Sequence, residues 1–306
     1  MTTDSLPGDE GRSPVLDAAL LKGALAPWPG LWREVRVVEE TGSTNADLLA
    51  EARSGAREGL VLVAEDQTSG HGRMGRRWIS APRRALTFSV LLRPAVPAGL
   101  VGWAPLLAGV AVASALQRAA GVDARLKWPN DVLVDGAKIA GILAERWGNA
   151  VVIGTGINVL QRRGERPVPT ATSLLVAQAA GPGPDAARAA EVRGTAPAER
   201  PTAAADTRER LLTAVLDDLA RWYRAWLDQP RPGDADGCGL REEYLRRSGT
   251  VGAAVTVMLP GGQDVTGTAA GIDAAGRLEI QSPAGLVQVS AGDVVHLRGR
   301  AHQTAG

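Results

Sequence analysis

The spacing of strand candidates in the middle of the chain constrains the fold more than any other sequence feature. Four short segments follow one another with only turns between them: Arg125–Trp128, Val132–Val134, Lys138–Arg146 and Ala150–Ile153. The turn Asp135-Gly136 has the residue types that a two-residue hairpin prefers. Parallel neighbours need a crossover of about a dozen residues or more, and these gaps are much shorter. The segment therefore predicts an antiparallel or mixed sheet.

Helices and further strands flank this sheet. Three strand candidates precede it: Trp32–Glu39, Leu60–Ala64 and Ala85–Leu92. Apolar residues at helical spacing predict four helices: Asn45–Arg53, Trp103–Ala120, Asp206–Leu227 and Leu240–Arg247. Ser43 or Thr44 is the expected N-cap of the first helix, and Gly121 follows the last residue of the second. Together these elements predict an α+β domain.

The pattern changes from Thr250 onward to short strands separated by turns. The candidates are Ala254–Leu259, Val265–Gly271, Arg277–Gln281, Leu286–Ser290 and Val294–Arg298. Regular spacing of this kind predicts a small, separate β-barrel. The predicted division is a flexible segment at residues 1–30, in which a helix around Val15–Leu25 is possible, a main domain at 31–248 and the barrel at 249–300. A disordered insertion rich in Ala, Pro, Gly and Arg is predicted at 179–205.

Composition excludes several functional classes. Net charge is +1, with 34 basic and 33 acidic residues, so the chain has no overall positive field for nucleic acid or an anionic membrane. One cysteine, Cys238, excludes a disulfide framework and a multi-thiolate metal site. The longest mainly apolar run, Trp103–Leu116, is too short to span a bilayer. We expect a cytoplasmic protein.

The loop Asp66–Trp78 combines three glycines, three arginines and one histidine. Glycine lets backbone N–H groups approach a ligand closely, and arginine matches phosphate and carboxylate, so an anion-binding loop is predicted. Its residues Gly70–Gly75 match the dinucleotide-binding pattern G-x-G-x-x-G. That interpretation needs a following helix and an acidic residue about 20 positions later. A strand follows instead, and the acid is missing.

Lysine is scarce, which draws attention to the two lysines that lie close together. Only three of the 34 basic residues are lysine, and Lys127 and Lys138 are two of them. Pro129 fixes a turn that directs Asn130 and Asp131, and an aspartate there can hold Mg²⁺ or accept a proton. Ordinary turn chemistry is the alternative. A cation at Lys138 would neutralise charge on a transferring phosphoryl group.

Five motifs occur in order between Arg33 and Asn158. They are Ser43-Thr44-Asn45; Gln67 with Gly70-His-Gly-Arg-Met-Gly-Arg76 and Trp78; Lys127-Trp-Pro-Asn-Asp131; Lys138-Ile-Ala-Gly-Ile-Leu-Ala-Glu145; and Gly154-Thr-Gly-Ile-Asn158. This ordered set closely resembles the biotin protein ligases. The barrel-like C-terminal segment fits the small last domain of that family less specifically.

The resemblance implies a fold and a reaction. The fold is a mixed-sheet catalytic domain similar to class II aminoacyl-tRNA synthetases and lipoate ligases, followed by an SH3-like barrel. In the reaction, biotin and MgATP form biotinyl-5′-AMP and pyrophosphate. A lysine of a biotin carboxyl carrier domain then takes the biotinyl group and releases AMP.

The resemblance also implies roles for individual residues. The expected biotin pocket contains Ser43, Thr44, Asn45 and Gln67. The carboxylate and phosphate are expected to be covered by His71, Gly72 and Arg73. Lys138 is expected at their junction, with Arg73 and Asp131 as further catalytic candidates. Asp131 is also the candidate for Mg²⁺ brought by ATP. The candidates for nucleotide contacts are Arg76, Arg77, Trp78, Asn130 and Asn158.

The chain departs from the family pattern at His71, where an arginine is usual. A histidine is only partly charged near neutral pH, so its hold on an anion would depend on pH if the side chain is used. No tryptophan follows Asn158 to stack on adenine, and Pro167–Thr172 is expected to take that position.

More than one function remains open at this point. A ligase that also represses transcription needs a helix-turn-helix of about 50 residues or more, and only about 30 precede the first strand candidate. Two further functions stay open: a lipoate or octanoate ligase or transferase of the same fold, and an inactive binding module. The expected partners are biotin, ATP and a carrier domain, without nucleic acid or membrane, and pairing into a homodimer stays open.

Overall fold

The computed structural model describes residues 14–180, 204–259 and 262–297. The strands are β1 (Glu34–Thr41), β2 (Leu60–Gln67), β3 (Ala85–Leu92), β4 (Arg125–Lys127), β5 (Asp131–Val134), β6 (Ala137–Trp147), β7 (Ala150–Asn158), β8 (Ala254–Met258), β9 (Asp264–Ile272), β10 (Leu278–Ser282), β11 (Gly285–Val289) and β12 (Asp293–His296). The helices are α1 (Ala18–Ala24), α2 (Thr44–Arg53), α3 (Trp103–Ala120), α4 (Leu174–Ala180), α5 (Ala204–Leu227) and α6 (Leu240–Arg247).

The first seven strands form one mixed sheet in the order β1-β2-β3-β7-β6-β5-β4. Only β1 and β2 run parallel, and α2 connects them; every other neighbouring pair is antiparallel. The turn between β5 and β6 has positive φ at Asp135 (49°) and Gly136 (76°). These angles are those of the primed hairpin turn. The predicted mixed sheet and its hairpin are confirmed.

Helices cover both faces of this sheet. Helix α3 buries most of its length in the main core, packs against α5, and ends at Gly121, where φ is 67°. The opposite face carries α2, whose Leu48 and Leu49 pack on Leu62 and Val152. The apolar run Trp103–Leu116 was expected to be too short to span a bilayer, but it belongs to a longer stretch, Ala98–Ala120, that is long and apolar enough to do so. Within this stretch, 67% of the apolar 18-residue window is buried inside the molecule. Among the described residues α3 is therefore a core helix.

The N-terminal part contains a helix where the sequence allowed one. A helix around Val15–Leu25 was possible within a segment expected to be flexible, and α1 forms there, with Asp17 as its N-cap and Leu21 buried. The reason is tertiary: the Leu16 backbone N–H donates to Glu65 Oε1 (2.7 Å), and Arg208 reaches the Pro14 carbonyl (2.5 Å). Residues 1–13 lie outside the described part, as does most of the predicted insertion at 179–205.

The C-terminal strands form a separate antiparallel sheet in the order β11-β10-β9-β8-β12, the expected SH3-like unit. Two buried tryptophans of the main domain attach it. Trp103 Nε1 donates to the Ala274 carbonyl (2.9 Å), and Trp128 Nε1 donates to the Gly276 carbonyl (3.2 Å). The turn that carries both carbonyls is thereby held over the N-terminal end of α3. The exact division near residue 249 stays a prediction.

Candidate active site

A polar pocket lies where α2 begins beside the end of β2. Ser43 caps α2, with its Oγ 3.5 Å from the Ala46 backbone nitrogen. The Thr44 backbone N–H donates to Gln67 Oε1 (2.9 Å), and Thr44 Oγ1 lies 3.0 Å from the same oxygen. Ser43 and Thr44 are buried, and Gln67 is half-buried. The predicted pocket residues are therefore brought together by a helix start and a strand end.

Asn45 links this pocket to the centre of the sheet. Its Nδ2 donates to the Leu143 carbonyl (3.2 Å) and to Glu145 Oε2 (2.7 Å). Its Oδ1 accepts a hydrogen bond from Ser89 Oγ (2.6 Å). Ser89 is fully buried on β3, and its Oγ also lies 2.7 Å from Thr44 Oγ1. Sequence reasoning missed Ser89, because a serine within an apolar strand has no local signal of a polar site.

Two glycines of β7 make room for pocket side chains. A Cβ on Gly154 would lie 2.3 Å from Asn45 Oδ1, and a Cβ on Gly156 would lie 2.3 Å from Trp78 Cε2. Gly156 pairs in register with Gly141 of β6, and a Cβ on Gly141 would lie 3.1 Å from Lys138 Nζ. The Asn45 amide and the Trp78 indole therefore lie along β7, with the Lys138 ammonium beside the neighbouring strand.

Gly156→Ala is expected to destabilise the protein by about 1–3 kcal/mol, because the new methyl group overlaps the Trp78 indole and the ring must move. The measurement is the free energy of unfolding in urea. Gly164→Ala is the matched control, since a Cβ there meets no atom within 4 Å. A loss for Gly156→Ala no larger than that of the control would show that the ring does not occupy this position.

The Gly/Arg loop folds back on itself and continues into β3 after a turn. The Gly72 N–H donates to the Arg76 carbonyl (2.6 Å), the Trp78 N–H donates to the Gly70 carbonyl (2.9 Å), and His71 pairs with Arg77 as a β-bridge. His71 is exposed, and no acidic side chain among the described residues pairs with it. The absence of a following helix excludes the dinucleotide-binding interpretation of the glycines.

Arginines of the loop face the C-terminal sheet. Arg76 forms an ion pair with Asp293, and Arg73 Nη2 lies 3.4 Å from the Gly292 carbonyl. Arg77, in contrast, donates to the Thr68 carbonyl within the loop (3.4 Å). Burial and the neighbouring Arg76 charge lower the pKa of Arg73, and Asp131 opposes that shift. A bound anion near Arg73 would relieve this electrostatic cost, as Asp131 already does in part.

Asp293→Asn is expected to accelerate tryptic cleavage of the native protein at Arg76 and Arg77 roughly threefold, because local opening controls cleavage of a folded chain. The stability loss should stay below about 1 kcal/mol, since Arg76 is largely exposed and such pairs contribute little. Asp264→Asn, an exposed aspartate on the same sheet, is the control. Equal cleavage rates for all three proteins would contradict a role for Asp293 in holding the loop.

Lys138 and Asp131 form the charged centre of the site. Lys138 Nζ lies 2.5 Å from Asp131 Oδ1, and both side chains remain partly exposed. The Lys138 backbone is held on both sides: its N–H donates to the Thr170 carbonyl and its carbonyl accepts from the Thr172 N–H, both at 2.8 Å. The ammonium therefore has a fixed position beside Gly141, with access to solvent.

Two residues that are predicted to contact the nucleotide have hydrogen-bond partners within the protein. Asn130 Nδ2 donates to the Ile142 carbonyl (3.2 Å), which agrees with the turn alternative for that residue. Asn158 is buried, donates to the Thr172 carbonyl (3.0 Å) and accepts from Gln161 Nε2 (3.1 Å). Asn158 thus holds the segment that positions Lys138.

Two buried donors at the site have no hydrogen-bond partner among the described residues: Arg73 Nε and Trp78 Nε1. Buried polar groups are nearly always paired, so unpaired donors beside a cation indicate a site for an acceptor-rich ligand. Within the described ranges, no group of three or more His, Cys, Asp or Glu side chains is placed to hold a metal ion. The described residues therefore give no support for a metal centre whose ligands are all protein side chains.

A cavity of about 500 Å³ opens between Arg73, the start of α3 and the C-terminal sheet. Its lining includes Trp128, Pro129, Arg277 and Ser290. This volume is within the usual range for small-molecule sites. Arg277 and Ser290 were not predicted, because only the docking of the two sheets brings them to the loop.

The chain is similar to known proteins. Family models described as "Biotin/lipoate A/B protein ligase family" and "Biotin protein ligase C terminal domain" match residues 37–159 and 250–297. The chain is 43% identical to a biotin–[acetyl-CoA-carboxylase] ligase of Mycobacterium tuberculosis, over 93% of this chain and 97% of that protein. It is 40% identical to the bifunctional ligase/repressor BirA of Bacillus subtilis, over 47% of this chain and 46% of that protein.

A similar solved structure is the biotin protein ligase from Aquifex aeolicus in complex with biotin and ATP. The TM-score is 0.63 at 26% identity, and the match covers 87% of this chain and 99% of that chain.

Proposed function

Because the chain belongs to the biotin/lipoate A/B protein ligase family, we propose that it is an ATP-dependent biotin protein ligase. It joins biotin to AMP and then transfers the biotinyl group to a lysine of a biotin carboxyl carrier domain. One observation supports this proposal most strongly: the polar pocket, an aromatic ring and a cation lie next to one another. The pocket is at Thr44 and Gln67, the Trp78 indole lies against β7, and the Lys138 ammonium lies beside Gly141 of β6.

In the first step, a carboxylate oxygen of biotin attacks the α-phosphorus of ATP, and the bond to the β-phosphate oxygen breaks to release pyrophosphate. Negative charge gathers where the carboxylate and phosphate meet. A fixed cation that acts more strongly on the transition state than on the bound substrates accelerates this step. We assign this role to Lys138, with Arg73, which lines the cavity on its loop side, as a second cation.

In the second step, the ε-amine of the carrier lysine attacks the acyl carbon, the bond to the AMP oxygen breaks, and the amine loses a proton. Asp131 is the carboxylate that we assign to orient this amine. The mixed anhydride hydrolyses in water, so the closed Gly/Arg loop protects it. We assign His71 and Gly72 to this cover. His71 would act through its backbone N–H, because its exposed imidazole makes no contact that fixes it, whereas the Gly72 N–H donates to the Arg76 carbonyl and holds the loop in its folded shape.

Magnesium enters this scheme as part of the substrate MgATP. The chain offers the Asp131 carboxylate, and Mg²⁺ commonly combines one or two carboxylates with substrate phosphates and water. We therefore propose that phosphate oxygens supply most of its ligands. Arg76 and Arg77 remain the proposed triphosphate contacts, which requires Arg76 to leave Asp293.

The repressor alternative has little support. The similarity to the ligase/repressor covers under half of that protein, whereas the similarity to the Mycobacterium tuberculosis ligase covers nearly all of it. We propose a cytoplasmic enzyme that acts on the carrier domain of a biotin-dependent carboxylase, without a nucleic-acid partner. A homodimer stays a prediction, which the molar mass in solution tests.

The testing experiment is biotin-dependent exchange of labelled pyrophosphate into ATP by the purified chain, followed by transfer of biotin to a purified carrier domain. Biotin is expected to support both reactions. Exchange with lipoate or octanoate but not with biotin would establish the lipoate-type alternative. Biotin binding without exchange would establish a binding module.

A further inference from the structure

The linker between the two domains also extends the main sheet. Ser248 forms a parallel β-bridge with Leu126 of the edge strand β4, and the Gly249 N–H donates to the Leu126 carbonyl (2.8 Å). Thr250 follows and is fully buried, and its Oγ1 accepts a hydrogen bond from the Trp128 backbone N–H (3.1 Å). The linker therefore covers the outer side of β4, which would otherwise be an open edge.

The strand held in this way leads directly into the charged centre of the site. Lys127, the last residue of β4, is paired in register with Asp131, the first residue of β5. Asp131 in turn contacts Lys138 Nζ (2.5 Å). The turn between the two strands is held on the β6 side by the Asn130 side chain, which donates to a carbonyl of that strand. The Thr250 hydroxyl holds the other end of the turn.

His296, at the end of β12, is the second partner of the Thr250 hydroxyl. Its Nε2 lies 3.3 Å from Thr250 Oγ1. The Trp128 N–H only donates, so the single hydroxyl proton of Thr250 is available for His296 Nε2, provided that this nitrogen carries no proton. If Nε2 were protonated, the Thr250 proton would have no acceptor among the described residues. Thr250 has no exposed surface at which water could replace that acceptor, so the neutral imidazole satisfies every group.

The surroundings of His296 favour its neutral form. Its partner across the pairing of β8 and β12 is Val255, and its neighbour on the linker is Thr250; neither titrates. On its own strand, Asp293 belongs to the opposite face and forms its ion pair with the Gly/Arg loop. Burial, and then the positive charge of Lys127 on β4, lower the pKa of His296. Both effects act against a proton on the nitrogen that accepts from Thr250.

We propose that His296 is a positioning residue of the ligase reaction, whose neutral imidazole takes the Thr250 proton and leaves Thr250 to hold the Trp128 backbone and the turn that carries Asp131. The inference rests on the proposed function, in which Asp131 orients the amine of the carrier lysine. Protonation of His296 turns its acceptor into a donor, so both neighbours of Thr250 Oγ1 then donate and the Thr250 proton loses its partner. The C-terminal sheet thereby makes the transfer step sensitive to acid.

The first test is the rate of transfer from preformed biotinyl-AMP to a purified carrier domain, followed from about pH 5 to about pH 8, where histidine titrates. His296→Gln keeps an acceptor oxygen near the position of Nε2 but cannot gain a charge. At the alkaline end the two proteins should have rates within about twofold of each other, whereas at the acid end the variant should be about fivefold faster, the effect expected of one net hydrogen bond. The ratio of the two rates removes the titration of the carrier lysine, which is the same in both reactions. The fall in the wild-type rate should follow the imidazole NMR signal that His296→Gln lacks.

The second test removes the Thr250 hydroxyl. Thr250→Val keeps the shape of the side chain and is expected to lower the transfer rate about fivefold at neutral pH. Biotin affinity measured by calorimetry should stay unchanged, because the pocket at Thr44 is built by other elements. Thr250→Ser restores a hydroxyl and should regain most of the rate. Thr268→Val, at an exposed threonine on β9, is the matched control and should change neither quantity.

Three outcomes would overturn the inference. One is the same pH profile for wild type and His296→Gln, a comparison that remains available if Thr250→Val folds poorly. Another is a transfer rate of Thr250→Val equal to that of Thr268→Val. The third is an equal loss of biotin affinity and transfer rate in Thr250→Val, which indicates structural damage alone. All three leave the proposed function standing, whereas a wild-type chain without biotin-dependent pyrophosphate exchange would refute that function and this inference with it.

Discussion

Lys138→Ala is expected to lower the rate of adenylate formation about a thousandfold while biotin affinity changes less than about fivefold. The ammonium lies 2.5 Å from Asp131 and beside Gly141, at the end of the pocket away from Thr44 and Gln67. Its attraction is greatest when charge develops between carboxylate and α-phosphate, so the loss belongs mainly to the transition state. The measurements are single-turnover formation of the adenylate and calorimetric binding of biotin.

Lys22→Ala is the matched control for that variant, because Lys22 is an exposed lysine on α1 far along the chain from the site motifs. It should retain wild-type rates. A loss of biotin affinity by Lys138→Ala as large as its loss of rate would show that Lys138 only binds the substrate.

Lys138→Arg keeps the positive charge and changes its geometry. Because a planar guanidinium cannot take the position of a compact ammonium, the arginine variant should recover little of the rate that the alanine variant loses.

Arg208→Ala is expected to reduce the free energy of unfolding by about 3–5 kcal/mol, because it leaves the buried Glu65 carboxylate without its charge partner. The Arg208 side chain is 0% exposed, and its Nη1 lies 2.5 Å from Glu65 Oε2. The same guanidinium bonds to the Pro14 carbonyl, so helix α5 also loses one of its contacts with the N-terminal segment. Urea unfolding followed by tryptophan fluorescence measures the change.

An exposed arginine on another helix provides the comparison for Arg208. Arg246 also pairs with a glutamate, Glu243, but its side chain is 59% exposed, and Arg246→Ala should cost less than about 1 kcal/mol. A similar cost for the two variants would contradict the importance of burial. Limited proteolysis should also show earlier cleavage before residue 30 in Arg208→Ala, because the α1 segment is held by this contact.

The boundaries of most elements were predictable, since local patterns specify them. The two-residue turn at Asp135-Gly136 and the short gaps around it left no room for a crossover, and the sheet is mixed as expected. Helix α1 was only a possibility from the sequence. A segment rich in proline and glycine has a weak local preference, and its order comes from Glu65 and Arg208, which are distant in sequence.

The site was predictable to a smaller extent. The motifs indicated four residues that do meet in pairs. Thr44 contacts Gln67, and Lys138 contacts Asp131; the paired strands β6 and β7 lie between the two pairs. No motif indicated that Asn158 holds the Thr172 carbonyl. The partner of Arg76 was equally hidden, because Asp293 belongs to another sheet.

The sequence alone therefore determined what local patterns and ordered motifs can carry: the strand order of the hairpins and the family with its reaction. It also predicts that the Gly/Arg loop binds an anion. Tertiary structure alone decided which groups meet. It placed Asp293 on Arg76, Trp78 against Gly156, and Glu145 behind Asn45. The physical reason is the distance along the chain over which each effect acts. Turn and strand preferences act between neighbours in the chain, whereas hydrogen-bond direction in a buried pocket depends on every group that packs around it.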